Sequence, residues 1–136
     1  MSNPNAPADG RDRRWNPRVN EQDRVTITVL HAPEAGELEG RVFYCSTRDI
    51  AAGGLRFCVH TIVPVASELE LRVEAPNPAD CYVHVGVVVW VREVEEDGMI
   101  AYHIGVRFSK TRDNRQIAWR NMVQYRLRQV GVEPAG

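Results

Sequence analysis

The chain has 136 residues with 43% apolar side chains, enough for one compact core, and its net charge of −1 argues against bulk binding of nucleic acid. No apolar run approaches the roughly 18 residues of a membrane span, and the first residues lack the apolar stretch of a secretory signal. Cys45, Cys58 and Cys81 are odd in number and far apart, which fits neither a disulfide framework nor a CxxC zinc site. They read as small buried hydrophobes in a reducing, cytoplasmic setting.

Residues 1–10 hold almost nothing to bury and read as a disordered N-terminus. Residues 11–24 are polar, carry five arginines and show neither a strand nor a helix period, so they form a flexible arm. From Val25 to Leu30 the β-branched richness of a strand sets in, and Leu38 to Ser46 reads as the next strand, after a loop around Pro33 and Gly36. A turn over Asp49–Gly54 leads to a third strand, Leu55 to Val59. Leu69, Leu71 and Val73 then alternate with charged residues, a strand with one wet face.

Cys81 to Val94 and Met99 to Phe108 form the last hairpin, joined by Glu95-Glu96-Asp97-Gly98, whose Asp-Gly pair favours a tight turn. The acidic run there reads as a solvated tip. Within this hairpin Trp90 reads as core, while His84 and His103 read as surface residues facing one another. Asp113 and Gln116 fit a capping box for an amphipathic helix over 113–130, with Trp119, Met122, Val123, Leu127 and Val130 on its apolar face. That face suits either the chain's own barrel or a second copy in a homodimer.

Six antiparallel strands and one helix need closure to hide their edges, so the fold class is all-β: a six-stranded barrel over 25–108 with a C-terminal helix. The whole reads as a single domain over 11–130.

Two short pieces carry the chemistry. Arg14-Trp15-Asn16-Pro17-Arg18 puts two guanidinium groups on a proline-stiffened arm, the only arginine pair at that spacing among 17 basic residues. Lys110 is the sole lysine, a bias that a GC-rich genome or a need for planar guanidinium forks would produce. About thirty residues later, Asp49-Ile50-Ala51-Ala52-Gly53-Gly54 supplies a carboxylate and two glycines. Guanidinium forks match phosphate and the O6/N7 edge of guanine. A carboxylate can accept guanine's ring and exocyclic N–H groups, and glycine leaves room for a base. Taken singly, each piece also has a plain use: a solvated basic tail, a turn-capping Asp, and glycines with positive φ.

In this order the pieces resemble the PilZ domain family of bacteria, whose signature is R-x-x-x-R followed by [D/N]-x-S-x-x-G. Val89-Trp90-Val91 and Tyr102-His103-Ile104-Gly105-Val106-Arg107-Phe108 resemble its later strands. The resemblance implies a PilZ-type β-barrel and a receptor for cyclic di-GMP. The implied ligand-binding residues are Arg14 and Arg18, with Arg13 beside them, and Asp49, Ala51, Gly53 and Gly54.

Ala51 departs from the motif serine. One lost hydrogen bond is worth about 0.5–1.5 kcal/mol, or up to about 3 kcal/mol against a charged phosphate, a roughly three- to hundredfold weakening. The implied partners are cyclic di-GMP and an unidentified protein, with no nucleic acid polymer and no membrane span. The alternative is a PilZ-fold adaptor that binds protein partners and no nucleotide.

No cofactor and no metal are expected, since His31, His60, His84 and His103 lack metal-ligand spacing. Nor does any nucleophile-plus-base pattern, P-loop or carboxylate pair suggest an enzyme.

Overall fold

The computed structural model describes residues 22–76, 79–111 and 115–129. Alternating apolar residues set the architecture: Val25, Ile27 and Val29 on one strand and Leu69, Leu71 and Val73 on another are buried, while the residues between them face outward. The strands are β1 (Arg24–His31), β2 (Val42–Ala51), β3 (Gly54–Val59), β4 (Glu68–Pro76), β5 (Ala79–Glu96) and β6 (Met99–Thr111). They close into an antiparallel barrel in the order β1-β2-β3-β6-β5-β4, which leaves no open edge.

The fold class matches the expectation; several element bounds do not. The second strand starts at Val42 and runs through Asp49 to Ala51, because Leu38 lies in a short 3-10 turn before it. Asp49 therefore stands on a strand, and the turn is only Ala52-Gly53. At the last hairpin, Asp97 and Gly98 have φ of 54° and 76°, the left-handed pair that a two-residue turn between twisted strands demands.

The helix α1 (Gln116–Gln129) buries Trp119, Met122, Val123, Arg126 and Leu127. Its apolar face packs on its own barrel: Trp119 meets the rings of Tyr82, His84 and Phe108 edge-on at 5.3, 4.6 and 5.5 Å. The capping residue Asp113 and Val130 lie outside the described residues. The His84 ring is buried and stacked on Phe108 at 3.9 Å, so it is not the surface residue expected. Nor do the two histidines oppose one another: His84 pairs with Thr111, and His103 with Arg92. The cysteines are free and half-buried rather than fully buried. Burial pushes the Cys45 thiol up to about 12.

A buried ion pair fastens the helix to the start of the barrel. Arg126 Nη1 lies 2.7 Å from Asp23 Oδ2, and the two side chains are only 2% and 1% exposed. Asp23 is in turn sewn to β2, its N–H donating to Thr47 Oγ1 and its carbonyl accepting from the Thr47 N–H. Removing one member of such a pair strands a buried charge. Arg126→Met is therefore expected to lower the unfolding free energy by about 3–5 kcal/mol, read by urea denaturation. The double variant Asp23→Leu/Arg126→Met should lose less than Arg126→Met alone.

Candidate functional site

Alternation along β3 turns Leu55, Phe57 and Val59 into the barrel and Gly54, Arg56 and Cys58 out of it. Across the sheet these face Arg107, Gly105 and His103 of β6 in turn. Asp49 stands opposite Arg56, brought outward by a bulge between Thr47 and Asp49. Its carboxylate is nearly buried and lies 3.0 Å from Arg56 Nη2.

A cleft of about 270 Å³ opens on this face, lined by Ala51, Gly53, Gly54, Arg56, Trp90 and Arg107 among others. It falls just short of the roughly 300–1,000 Å³ pockets that enclose a whole drug-sized ligand. Trp90 forms one wall. The expectation of a core tryptophan fails because β5 carries a second bulge, between Val88 and Trp90, which breaks the alternation. Val88 stays buried, while Val89 and Trp90 are 40% and 37% exposed. The indole packs against Gly105, where a Cβ would come within 2.2 Å of the ring. The Arg92 guanidinium sits 5.9 Å from the Trp90 ring centroid.

From Asp49 a chain of polar contacts runs along the outer face. Arg56 Nη1 donates to His103 Nδ1 at 3.1 Å. His103 Nε2 meets Glu96 Oε2 at 2.9 Å. Arg48 grips both Glu96 oxygens, at 2.9 and 3.2 Å. The Cys58 thiol also donates to Glu96 Oε1 at 3.7 Å. Glu96 is thus half-buried and held by four hydrogen bonds, unlike the solvated tip expected of this acidic run. The His103 bond, and then Arg48, hold its carboxyl below the usual range against the opposing effect of burial.

Cys58, Glu96 and His103 also bring donor atoms within 4.8 Å of one another. A cation there would face two guanidinium groups already bonded to its carboxylate and imidazole ligands, so the set is arranged for hydrogen bonding.

Residues 12–125 match the PilZ domain family pattern. The chain belongs to the PilZ domain family. No curated protein matches it by sequence. Its fold is similar to MotI/DgrA, the inhibitor of motility of Bacillus subtilis, at 18% identity and TM-score 0.64, over 88% of this chain and 52% of that one. It is also similar to the PilZ domain, with c-di-GMP, of YcgR from Escherichia coli, at 12% identity and TM-score 0.62, covering 88% and 95%. MrkH of K. pneumonia, in a c-di-GMP complex, aligns at 17% identity and TM-score 0.62, covering 89% and 52%. This PilZ chain thus spans about half the length of MotI/DgrA and MrkH. Among its described residues no helix is long and apolar enough to cross a membrane.

Of the PilZ motif residues, Asp49, Ala51, Gly53 and Gly54 meet at one end of β2 and β3. Arg13, Arg14 and Arg18 lie outside the described residues. Ala51 is 2% exposed and its carbonyl accepts the Trp119 indole N–H at 2.9 Å. Arg56, Trp90 and His103 were not singled out from the sequence as site residues. For Arg56 the signal was present, since a period of two puts it on the same face as Gly54.

The two glycines serve different ends, and neither has the positive φ expected of a turn glycine. At Gly54 a Cβ would lie 2.1 Å from the Val106 carbonyl oxygen, backbone that cannot step aside. At Gly53 nothing lies within 4 Å. Gly54→Ala should therefore destabilise by about 1–3 kcal/mol and Gly53→Ala by no more than about 0.5 kcal/mol, both read by thermal unfolding.

Proposed function

We propose that this PilZ domain is a receptor for cyclic di-GMP that acts by binding and carries out no reaction. The observation that carries the reading is the meeting of Asp49, Ala51 and Gly54 beside a cleft walled by an exposed tryptophan. The c-di-GMP-bound structures of YcgR and MrkH, which share the fold, lend it support.

In this reading Arg14 and Arg18 hold the phosphates and the O6/N7 edge of guanine, with Arg13 adding a further cation. Asp49 accepts the N1–H and N2–H of a guanine, an arrangement adenine cannot offer. Trp90 offers an aromatic face to a base, and Arg56 and Arg107 add positive charge at the cleft. Gly53 and Gly54 keep the approach clear.

Binding would draw the arginine arm onto the barrel beside β2. The ordered arm then presents a new surface to a protein partner in the cytoplasm. The competing reading, an adaptor that binds no nucleotide, draws on Ala51, where the motif hydroxyl is missing. Against it, both motif arginines are present.

Calorimetric titration with cyclic di-GMP separates the two. The receptor binds at micromolar concentration or tighter, Arg14→Ala weakens binding at least about tenfold, and Ala51→Ser tightens it. No binding by the parent at millimolar ligand would leave the adaptor.

A further inference from the structure

The polar chain on the outer face ends at the carboxylate proposed to read guanine, and its central link is a histidine. We propose that His103 is a positioning residue for the ligand site: as a neutral ring protonated at Nε2 it holds Arg56 against Asp49, and on protonation it lets go. The inference rests on the cyclic di-GMP reading of the same site.

The tautomer follows from the partners. A guanidinium has only donors, so the Nδ1 facing Arg56 Nη1 at 3.1 Å must offer its lone pair. The one proton of a neutral ring then sits on Nε2, aimed at Glu96 Oε2, 2.9 Å away, which can only accept. Both ends of the imidazole are thereby assigned, and the ring is 13% exposed. Arg56 is held from two sides, by His103 at Nη1 and by Asp49 at Nη2. Its Nε has no hydrogen-bond partner, so those two contacts set where the guanidinium points.

A second proton would have to go on Nδ1. It would set an N–H against an N–H and two cations 3.1 Å apart. Arg56 would then keep only Asp49, and the guanidinium beside that carboxylate would lose one of the two contacts that aim it.

The groups around the ring leave His103 as the one that responds. Arg56 and Cys58 face it from β3, Glu96 and Arg92 from β5, and Arg48 of β2 stands behind Glu96. The arginines stay charged at any working pH. Glu96 is held below the ordinary carboxylate range, and burial, with Glu96 beside it, pushes the Cys58 thiol up. Burial, opposed by Glu96 and reinforced by Arg56 and Arg48, holds His103 below its usual 6.5. The brace is therefore complete at neutral pH and is lost as pH falls through the lowered value.

The test is calorimetric titration with cyclic di-GMP at pH 8, 7, 6 and 5 on the parent, His103→Gln and His103→Leu. The parent should bind equally at pH 8 and 7 and weaken about three- to tenfold, the size of one hydrogen bond, across the titration of His103, which nitrogen NMR of the ring locates. A glutamine amide can accept from Arg56 and donate to Glu96 without titrating, so His103→Gln should match the parent at pH 7 and lose the pH step. Leucine should weaken binding by a similar factor at every pH.

A pH step unchanged in His103→Gln, a parent whose affinity stays constant across the His103 titration, or full affinity in His103→Leu overturns the brace while the receptor stands. A parent that binds at no pH overturns the receptor reading and the brace together. Nitrogen NMR of the His103 ring at pH 7 should show the proton on Nε2; finding it on Nδ1 overturns the brace whatever the ligand does.

Discussion

An indole N–H in a fully buried tryptophan needs an acceptor, and Trp119 finds one 2.9 Å away in the carbonyl oxygen of Ala51. Much of the molecule is arranged around that bond. The helix can bury its apolar face only by setting the Trp119 ring among Tyr82, His84 and Phe108. The same ring fixes the last residue of β2, which lies in the PilZ motif, while Arg126, about two turns further along the same helix face, fixes Asp23, where the chain enters the barrel. The part of the chain that looks least like a binding element thus positions both approaches to the candidate site.

The barrel supplies the other constraint. Closure pairs β3 with β6, so the outward residues of two hairpins share one face, and a carboxylate on β2 reaches a glutamate at the far end of β5 through two side chains. Small residues keep that face open. Gly54 lets β6 pass close beside it, and Gly105 leaves room for the Trp90 indole. Neither role comes from conformational freedom: both depend on the missing Cβ.

Much of this was legible in the amino-acid sequence wherever the signal was periodic or local. Val25–Leu30 read as a strand from its β-branched residues and Leu69–Val73 from its one wet and one dry face, and Asp97-Gly98 marked its turn because both residue types tolerate positive φ. The helix read correctly because its period switches after β6. The bulges were not legible. A bulge adds one residue to one strand and leaves no mark in residue type, yet it carried Asp49 to the outer face and turned Trp90 out of the core. The histidines were misread for a related reason. Their surroundings depend on cross-strand partners that alternation along one strand cannot name. The contacts of Arg48, Glu96 and His103 become visible only when the four strands β2, β3, β6 and β5 lie side by side.

The Asp23–Arg126 lock joins residues 103 positions apart. A ribosome makes Asp23 before all six strands and Arg126 after them, so the carboxylate waits at the mouth of a half-made barrel. The final helix must arrive before the Ala51 end of β2 acquires its neighbour or the entry of the chain is pinned. A nascent chain therefore cannot complete its candidate site strand by strand; the site is finished in one late step, when the helix docks.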